Sequence, residues 1–274
     1  MQLIKPRVLV YKLHAFDTIK KLIELNARRC YRSEDKIEEG SADKIIKRLV
    51  KLNHGAMLEF GTICVEFTCD RGVSHELIRH RIASFAQQST RYCDEGSEDK
   101  FGGVNFIEPF FASKEQFPVR DIRSEMSIEV PSFDAAVNYN ELENNEIQIG
   151  DAPKANLYYN QTESDIYIMS FLFSEWAYNT LREKFGVKPQ EARAVLPNAL
   201  RTVIGTQMNI REWLHTLNLR TKKEAHPQIR QIMIPLLHFF NEHFPIIFGS
   251  LMKDIAYEYN GKIIPLPEVE VVEI

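Results

Sequence analysis

Residues 79–92 read Arg79-His80-Arg81-Ile82-Ala83-Ser84-Phe85-Ala86-Gln87-Gln88-Ser89-Thr90-Arg91-Tyr92. Three cationic or proton-carrying side chains stand together at 79–81, and a serine and a further arginine follow at 89 and 91. Adjacent basic groups repel one another, so an anion is expected among them. Arginine offers forked donors that match phosphate, and serine offers a short hydroxyl.

Composition limits what that anion is. The chain has 274 residues, 44% hydrophobic and 26% charged, with 34 basic against 38 acidic residues and a net charge of −4. A general nucleic-acid binder would be basic overall; here the basic cluster is local, which favours a small anionic ligand. No stretch reaches the roughly 18 apolar residues of a membrane span, and the first residues read as a strand rather than a signal peptide. Cys30, Cys64, Cys69 and Cys93 match no zinc spacing and no disulfide framework, as expected of a cytoplasmic protein with reduced thiols.

Periodicity places these residues on elements. A strand is expected over 7–12 and a helix over 16–31, with Ile19, Leu22, Ile23 and Leu25 on its apolar stripe. Ser41 introduces a second helix through Leu52, and residues 62–69 alternate as a strand. A helix over 72–79 delivers the basic segment at its C-terminal end, and a strand is expected near 104–107. Residues 112–162 read as a weakly structured excursion. Beyond it the pattern is helical: 163–185, a short piece before Pro197, about 207–220, and 228–243 with a kink at Pro235. Strands early and helices late argue α+β.

Three further groups stand out. Asn209, Arg211, His215, Leu219 and Arg220 share the 207–220 segment, with Arg211, His215 and Leu219 spaced by four on one face. Such a face is usually a solvated surface, and a face that binds a ligand would look the same. His54 and Glu59 lie in NHGAMLEFGT, where a histidine after a helix is more often a cap or packed residue than a catalytic one, and Arg193 lies in ARAVLP. There is no P-loop, no GxGxxG, no GxSxG and no HExxH.

The RHR-x7-S pattern followed by x-Arg-Tyr resembles the signature of the flavin-dependent thymidylate synthases, and ARAVLP and LNLR ending at Arg220 match in family order. The resemblance covers about residues 27–111 and 163–245. It implies an α+β fold, a mixed sheet packed with long helices, in one domain over 1–274 with a variable excursion at 112–162. It also implies a homotetramer whose active sites are shared between subunits. The implied activity is reductive methylation of dUMP to dTMP with FAD as cofactor and methylenetetrahydrofolate and NADPH as co-substrates, with no metal, membrane or nucleic acid.

By matching positions, the resemblance puts His54, Glu59, Arg79, His80, Arg81, Asn209, Arg211, His215 and Leu219 at FAD. It puts Glu76, Arg79, Gln87, Ser89, Arg91, Arg193 and Arg220 around dUMP. Arg220 reaching the uracil, with Ser89 and His80, forms the expected catalytic set: Ser89 positions the nucleotide rather than attacking it, because no base stands beside it in sequence. Ala86, Glu76, His215 and Glu224 depart from residues common among relatives. Two other readings fit the basic cluster: a flavin-dependent uracil methyltransferase with another acceptor, and a non-catalytic nucleic-acid-binding module.

Overall fold

A computed structural model describes residues 1–12, 14–97, 102–111 and 163–273. The chain divides into two compact units, Met1–Phe111 with Phe171–Ile274, and Ala112–Ser170. The excursion expected at 112–162 lies outside the described residues.

The strands are β1 (Gln2–Ile4), β2 (Arg7–Lys12), β3 (Thr62–Asp70), β4 (Ala83–Gln87), β5 (Asn105–Ile107), β6 (Arg201–Asn209), β7 (Glu258–Tyr259), β8 (Lys262–Ile263) and β9 (Val269–Glu273). The helices used below are α1 (Phe16–Arg29), α2 (Ser41–Lys51), α3 (Arg71–Leu77), α4 (Glu163–Glu183), α5 (Pro189–Ala192), α6 (Ile210–Arg220) and α7 (Pro227–His243). Five strands form the main sheet in the order β4-β6-β3-β2-β9, antiparallel except for the β2–β9 pair. It is therefore mixed, and the α+β expectation describes it. Among the described residues, no helix is long and apolar enough to cross a membrane.

Alternation explains the sheet. Ile63, Val65, Phe67 and Cys69 are buried on one face of β3, opposite Met208, Thr206, Ile204 and Thr202 of β6. That face packs on α7, whose Ile229, Ile232, Met233, Leu236, Leu237 and Phe240 are all buried. Trp213 of α6 packs edge-on to Phe67 and Phe240, and its indole N–H donates to the Ile63 carbonyl at 3.1 Å.

Four expectations need correction. The helix read over 207–220 starts only at Ile210. Residues 201–209 form a central strand, because Thr202, Ile204, Thr206 and Met208 alternate inward over nine ladder pairs with β3. The segment after the basic cluster is also a strand, β4. Strands therefore recur late in the chain, and β9 returns to the sheet edge beside β2. On α1, Leu22 is exposed and Glu24 is buried in its place, held by Arg28 and Ser41 at 2.7 and 2.6 Å. Ser41 is the first residue of α2 rather than its cap, which is Gly40. The helix α7 runs through Pro235 without ending there.

Candidate functional site

Two strand-to-helix junctions build the site. At the end of β3, Asp70 caps α3 by accepting from the Val73 N–H at 2.6 Å. At the end of β6, Asn209 caps α6 by accepting from the Glu212 N–H at 2.8 Å. Each cap satisfies a first-turn donor that the helix itself cannot. The Ala83↔Met208 register then sets the start of β4 beside the end of β6 from which α6 departs. The basic segment, just ahead of β4, is thereby laid against α6.

The contact is a knot of polar groups. Arg220 at the end of α6 donates from Nε to His80 Nε2 at 3.1 Å. Its Nη1 donates to Glu76 Oε2 at 2.6 Å and its Nη2 to the Glu76 carbonyl at 3.2 Å. His80 is 5% exposed, and its Nδ1 lies 3.1 Å from Thr216 Oγ1 and 3.6 Å from Glu212 Oε1. Arg79 and Arg81 are exposed on either side of it, and among the described residues neither pairs with a carboxylate.

Burial, then the charge of Arg220 and the neighbouring His215, lowers the His80 pKa to about 4, so the ring is neutral at physiological pH. Burial raises the Glu212 carboxyl above its usual value. His80, Glu212 and His215 lie close enough to share a metal ion, the one such group among the described residues. A cation on His80 Nδ1 would require a proton on Nε2, facing the Arg220 Nε–H at 3.1 Å. The donor set therefore opposes a resident metal.

The other end of α6 faces a cleft of about 390 Å³ lined by Ala27, Leu49, Asn53, His54, Met57 and Arg211, among others. Arg211 donates to Glu59 at 2.6 Å. Gly55 lies close to this arginine: a Cβ there would stand 3.2 Å from Arg211 Nε, and the exposed side chain would have to give way. His54, Glu59 and Arg211 thus meet, and Arg211, His215 and Leu219 share the exposed face of α6. Apolar walls, an imidazole, an amide and an unburied guanidinium fit one nucleoside-phosphate portion of a dinucleotide such as FAD. From Arg211 to Arg220 the helix rises roughly 14 Å, so one dinucleotide can run along α6 from this cleft to the His80 knot.

After β4 the chain turns through Ser89, whose Oγ accepts from the Arg91 N–H at 3.3 Å and whose carbonyl accepts from the Cys93 N–H at 2.9 Å. No base approaches the Ser89 hydroxyl among the described residues. Arg91 is exposed beside Tyr92. Arg193, just past α5, donates to Thr90 at 2.9 Å and so stands on this loop. Gln87 turns its amide N–H groups inward to Ser74 and Thr202, at 2.8 and 3.2 Å.

Sequence reasoning missed the groups beneath this loop. Arg201 donates to Gln88 at 3.1 Å, and the 5% exposed Glu95 lies near Arg201 and Arg71. Burial raises the Glu95 pKa to about 7 against the pull of both arginines. Asp94 is held by Arg182 at 2.6 and 2.9 Å and by the Tyr178 hydroxyl at 3.0 Å. Glu212 and Thr216 were missed as well. The signal for Glu212 was present, an acid three residues after an asparagine cap, but nothing local aims it at His80.

Comparison with known proteins now bears on this geometry. The family model described as thymidylate synthase complementing protein matches residues 12–246. The chain belongs to this family. Curated relatives include the flavin-dependent thymidylate synthase of Corynebacterium efficiens, 28% identical over 232 residues, covering 84% of this chain and 78% of the relative. That of Mycobacterium avium is 29% identical over 235 residues, with the same coverage. The fold matches a solved thymidylate synthase X from Helicobacter pylori with FAD and dUMP, at TM-score 0.60 and 19% identity, over 90% of this chain and 99% of that one. It also matches a UMP/dUMP methylase from Streptomyces cacaoi bound with 5-Br dUMP, at TM-score 0.61 and 19% identity, over 92% and 97%. The protein is thus a member of the flavin-dependent thymidylate synthases, flavoprotein methyltransferases.

Proposed function

We propose that the protein converts dUMP to dTMP, taking the carbon unit from methylenetetrahydrofolate and reducing equivalents from NADPH. The observation that carries this reading is the donor count on Arg220. Of its five N–H groups, three are used inside the protein by His80 and Glu76, which leaves two on the Nη atoms. A uracil carbonyl accepts such a pair, and the pair stabilises the negative charge that develops on the ring when its carbon 5–carbon 6 bond is attacked.

FAD, when bound, supplies hydride for the reductive step. The residues that hold it are His54, Glu59, Arg79, His80, Arg81, Asn209, Arg211, His215 and Leu219. The nucleotide is held by Arg91 and Arg193 at the phosphate, by Gln87 at the end of β4 and Ser89 on the loop, and by Arg79, Glu76 and Arg220 at the ring. Ser89 is a hydrogen-bonding partner of dUMP and not a nucleophile, because a hydroxyl without a paired base attacks poorly.

The homotetramer belongs to the same reading. Tyr92 is 82% exposed, Ile82 66% and Leu219 46%, all beside the site residues. Apolar groups gathered there suit burial against a second subunit. The four cysteines are free thiols, as suits a cytoplasmic location.

Two measurements test the proposal. The purified protein should show flavin absorbance, and it should form dTMP from dUMP, methylenetetrahydrofolate and NADPH. UMP and uridine-containing RNA, offered in place of dUMP, should turn over far more slowly. A colourless protein that makes no dTMP refutes the reading; preference for UMP or RNA moves the acceptor.

A further inference from the structure

We propose that Thr216, with Glu212 beside it, is a positioning residue that fixes the tautomer of His80 and through it the aim of Arg220. Its catalytic consequence rests on the function proposed above; its structural content does not.

The hydrogen-bond directions admit one assignment. A guanidinium in a protein stays protonated, so Arg220 Nε is a donor. His80 Nε2, 3.1 Å away, must therefore present its lone pair. The neutral ring then carries its hydrogen on Nδ1, which faces Thr216 Oγ1 at 3.1 Å. Thr216 is fully buried, and its hydroxyl has an outlet for its own hydrogen in Met208 Sδ at 3.5 Å. The chain of donors runs from Arg220 to His80, and from His80 to Thr216 to Met208.

Glu212 Oε1 lies 3.6 Å from Nδ1, too far for a direct hydrogen bond but close enough for its carboxylate to favour a hydrogen on that nitrogen. Both acceptors sit on the Nδ1 side of the ring, and Arg220 occupies the other side. Were the hydrogen on Nε2, it would meet the Arg220 Nε–H head on, and the guanidinium would have to turn. Turning it would misdirect the two N–H groups left for the substrate ring.

Among the four residues of this knot on α6, Arg220 and His215 are expected to touch ligands. Thr216 and Glu212 act through His80, one turn apart on the inner side of the helix. Both are buried, and both lie on the Nδ1 side of His80.

The test compares Thr216→Val, which keeps the shape and removes the hydroxyl, with Thr216→Ser, which keeps the hydroxyl. The holoenzyme labelled with 15N-histidine is read by NMR for the protonated ring nitrogen of His80, assigned with His80→Gln. In the parent and in Thr216→Ser the hydrogen is expected on Nδ1. In Thr216→Val the loss of a buried acceptor should shift the tautomer ratio about tenfold toward Nε2. The kcat for dUMP should fall about tenfold with flavin content unchanged, because the ring-facing donors lose their aim rather than their charge.

A Thr216→Val protein whose His80 tautomer ratio equals that of the parent overturns the proposal. So does an equal loss of activity in the Val and Ser variants, which would mark Thr216 as a packing residue. Failure of the parent to methylate dUMP would refute the proposed function and leave the tautomer result to decide this inference.

Discussion

Replacing Glu95 with glutamine should change how stability depends on pH. Glu95 is 5% exposed; its backbone N–H donates to the Tyr178 hydroxyl at 3.2 Å, and its carboxylate lies 3.4 and 3.5 Å from Gln88 Nε2. Burial raises its pKa from 4.5 to about 7. Below pH 4.5 the carboxyl is protonated in both the folded and unfolded chains, and it adds no pH dependence. Between about 4.5 and 7 the unfolded chain ionises while the folded one holds its proton, so the parent loses stability as pH rises. At 1.36 kcal/mol per unit the loss reaches about 3 kcal/mol and is complete above pH 7. Glutamine has nearly the same shape and does not ionise, so it lacks this loss. The stability of Glu95→Gln relative to the parent should therefore rise by about 3 kcal/mol between pH 4.5 and 8. Urea denaturation across that range measures it. A difference that stays level with pH would refute the reasoning, because it would mean that attraction to Arg201 and Arg71 offsets burial in full.

His80 gives the opposite slope. Its folded pKa of about 4 lies below the usual 6.5, so stability should fall by about 3 kcal/mol as pH drops from 6.5 to 4, and His80→Gln should remove that fall in the same titration. Gly61→Ala places a Cβ 2.5 Å from Ile19 Cγ2 and 3.1 Å from Ile210 Cγ1, and should cost about 1–3 kcal/mol by thermal melting. Arg193→Ala removes a charged donor from the Thr90 loop and should raise the KM for dUMP about tenfold or more while flavin absorbance is retained. Ser89→Ala should lower turnover without abolishing it, and Cys93→Ala should stay active; a covalent dUMP–Ser89 adduct found by mass spectrometry would contradict the role given to Ser89.

Much of the fold was legible from local pattern. The strands at Arg7–Lys12 and Thr62–Asp70 and the helices at Phe16–Arg29 and Pro227–His243 follow from period-two and period-3.6 spacing. The strand over 201–209 went unread, and its last residues were assigned to the following helix, because its inward positions are Thr202, Ile204, Thr206 and Met208, half of them threonine. Threonine is only a weak apolar signal, and the strand's place between β3 and β4 is what buries it. The capping serine of α2 slipped by one residue for a related reason. Its hydroxyl is taken by Glu24 of α1, a partner 17 positions away that no local pattern reveals.

For the site, the chain by itself determined which chemistry was available. Arginine, histidine and serine at RHR-x7-S, and asparagine, arginine and histidine along 209–220, state the donors and charges whatever the fold. Tertiary structure decided what each donor faces. The β4–β6 register brings His80 to α6, and only then do Thr216 and Glu212 acquire a role. Burial, likewise absent from the sequence, keeps His80 neutral and pushes the Glu95 carboxyl up to about 7. Residue type fixes a side chain's hydrogen-bonding capacity, whereas its protonation, tautomer and direction depend on neighbours more than a hundred positions away, which only the folded chain supplies.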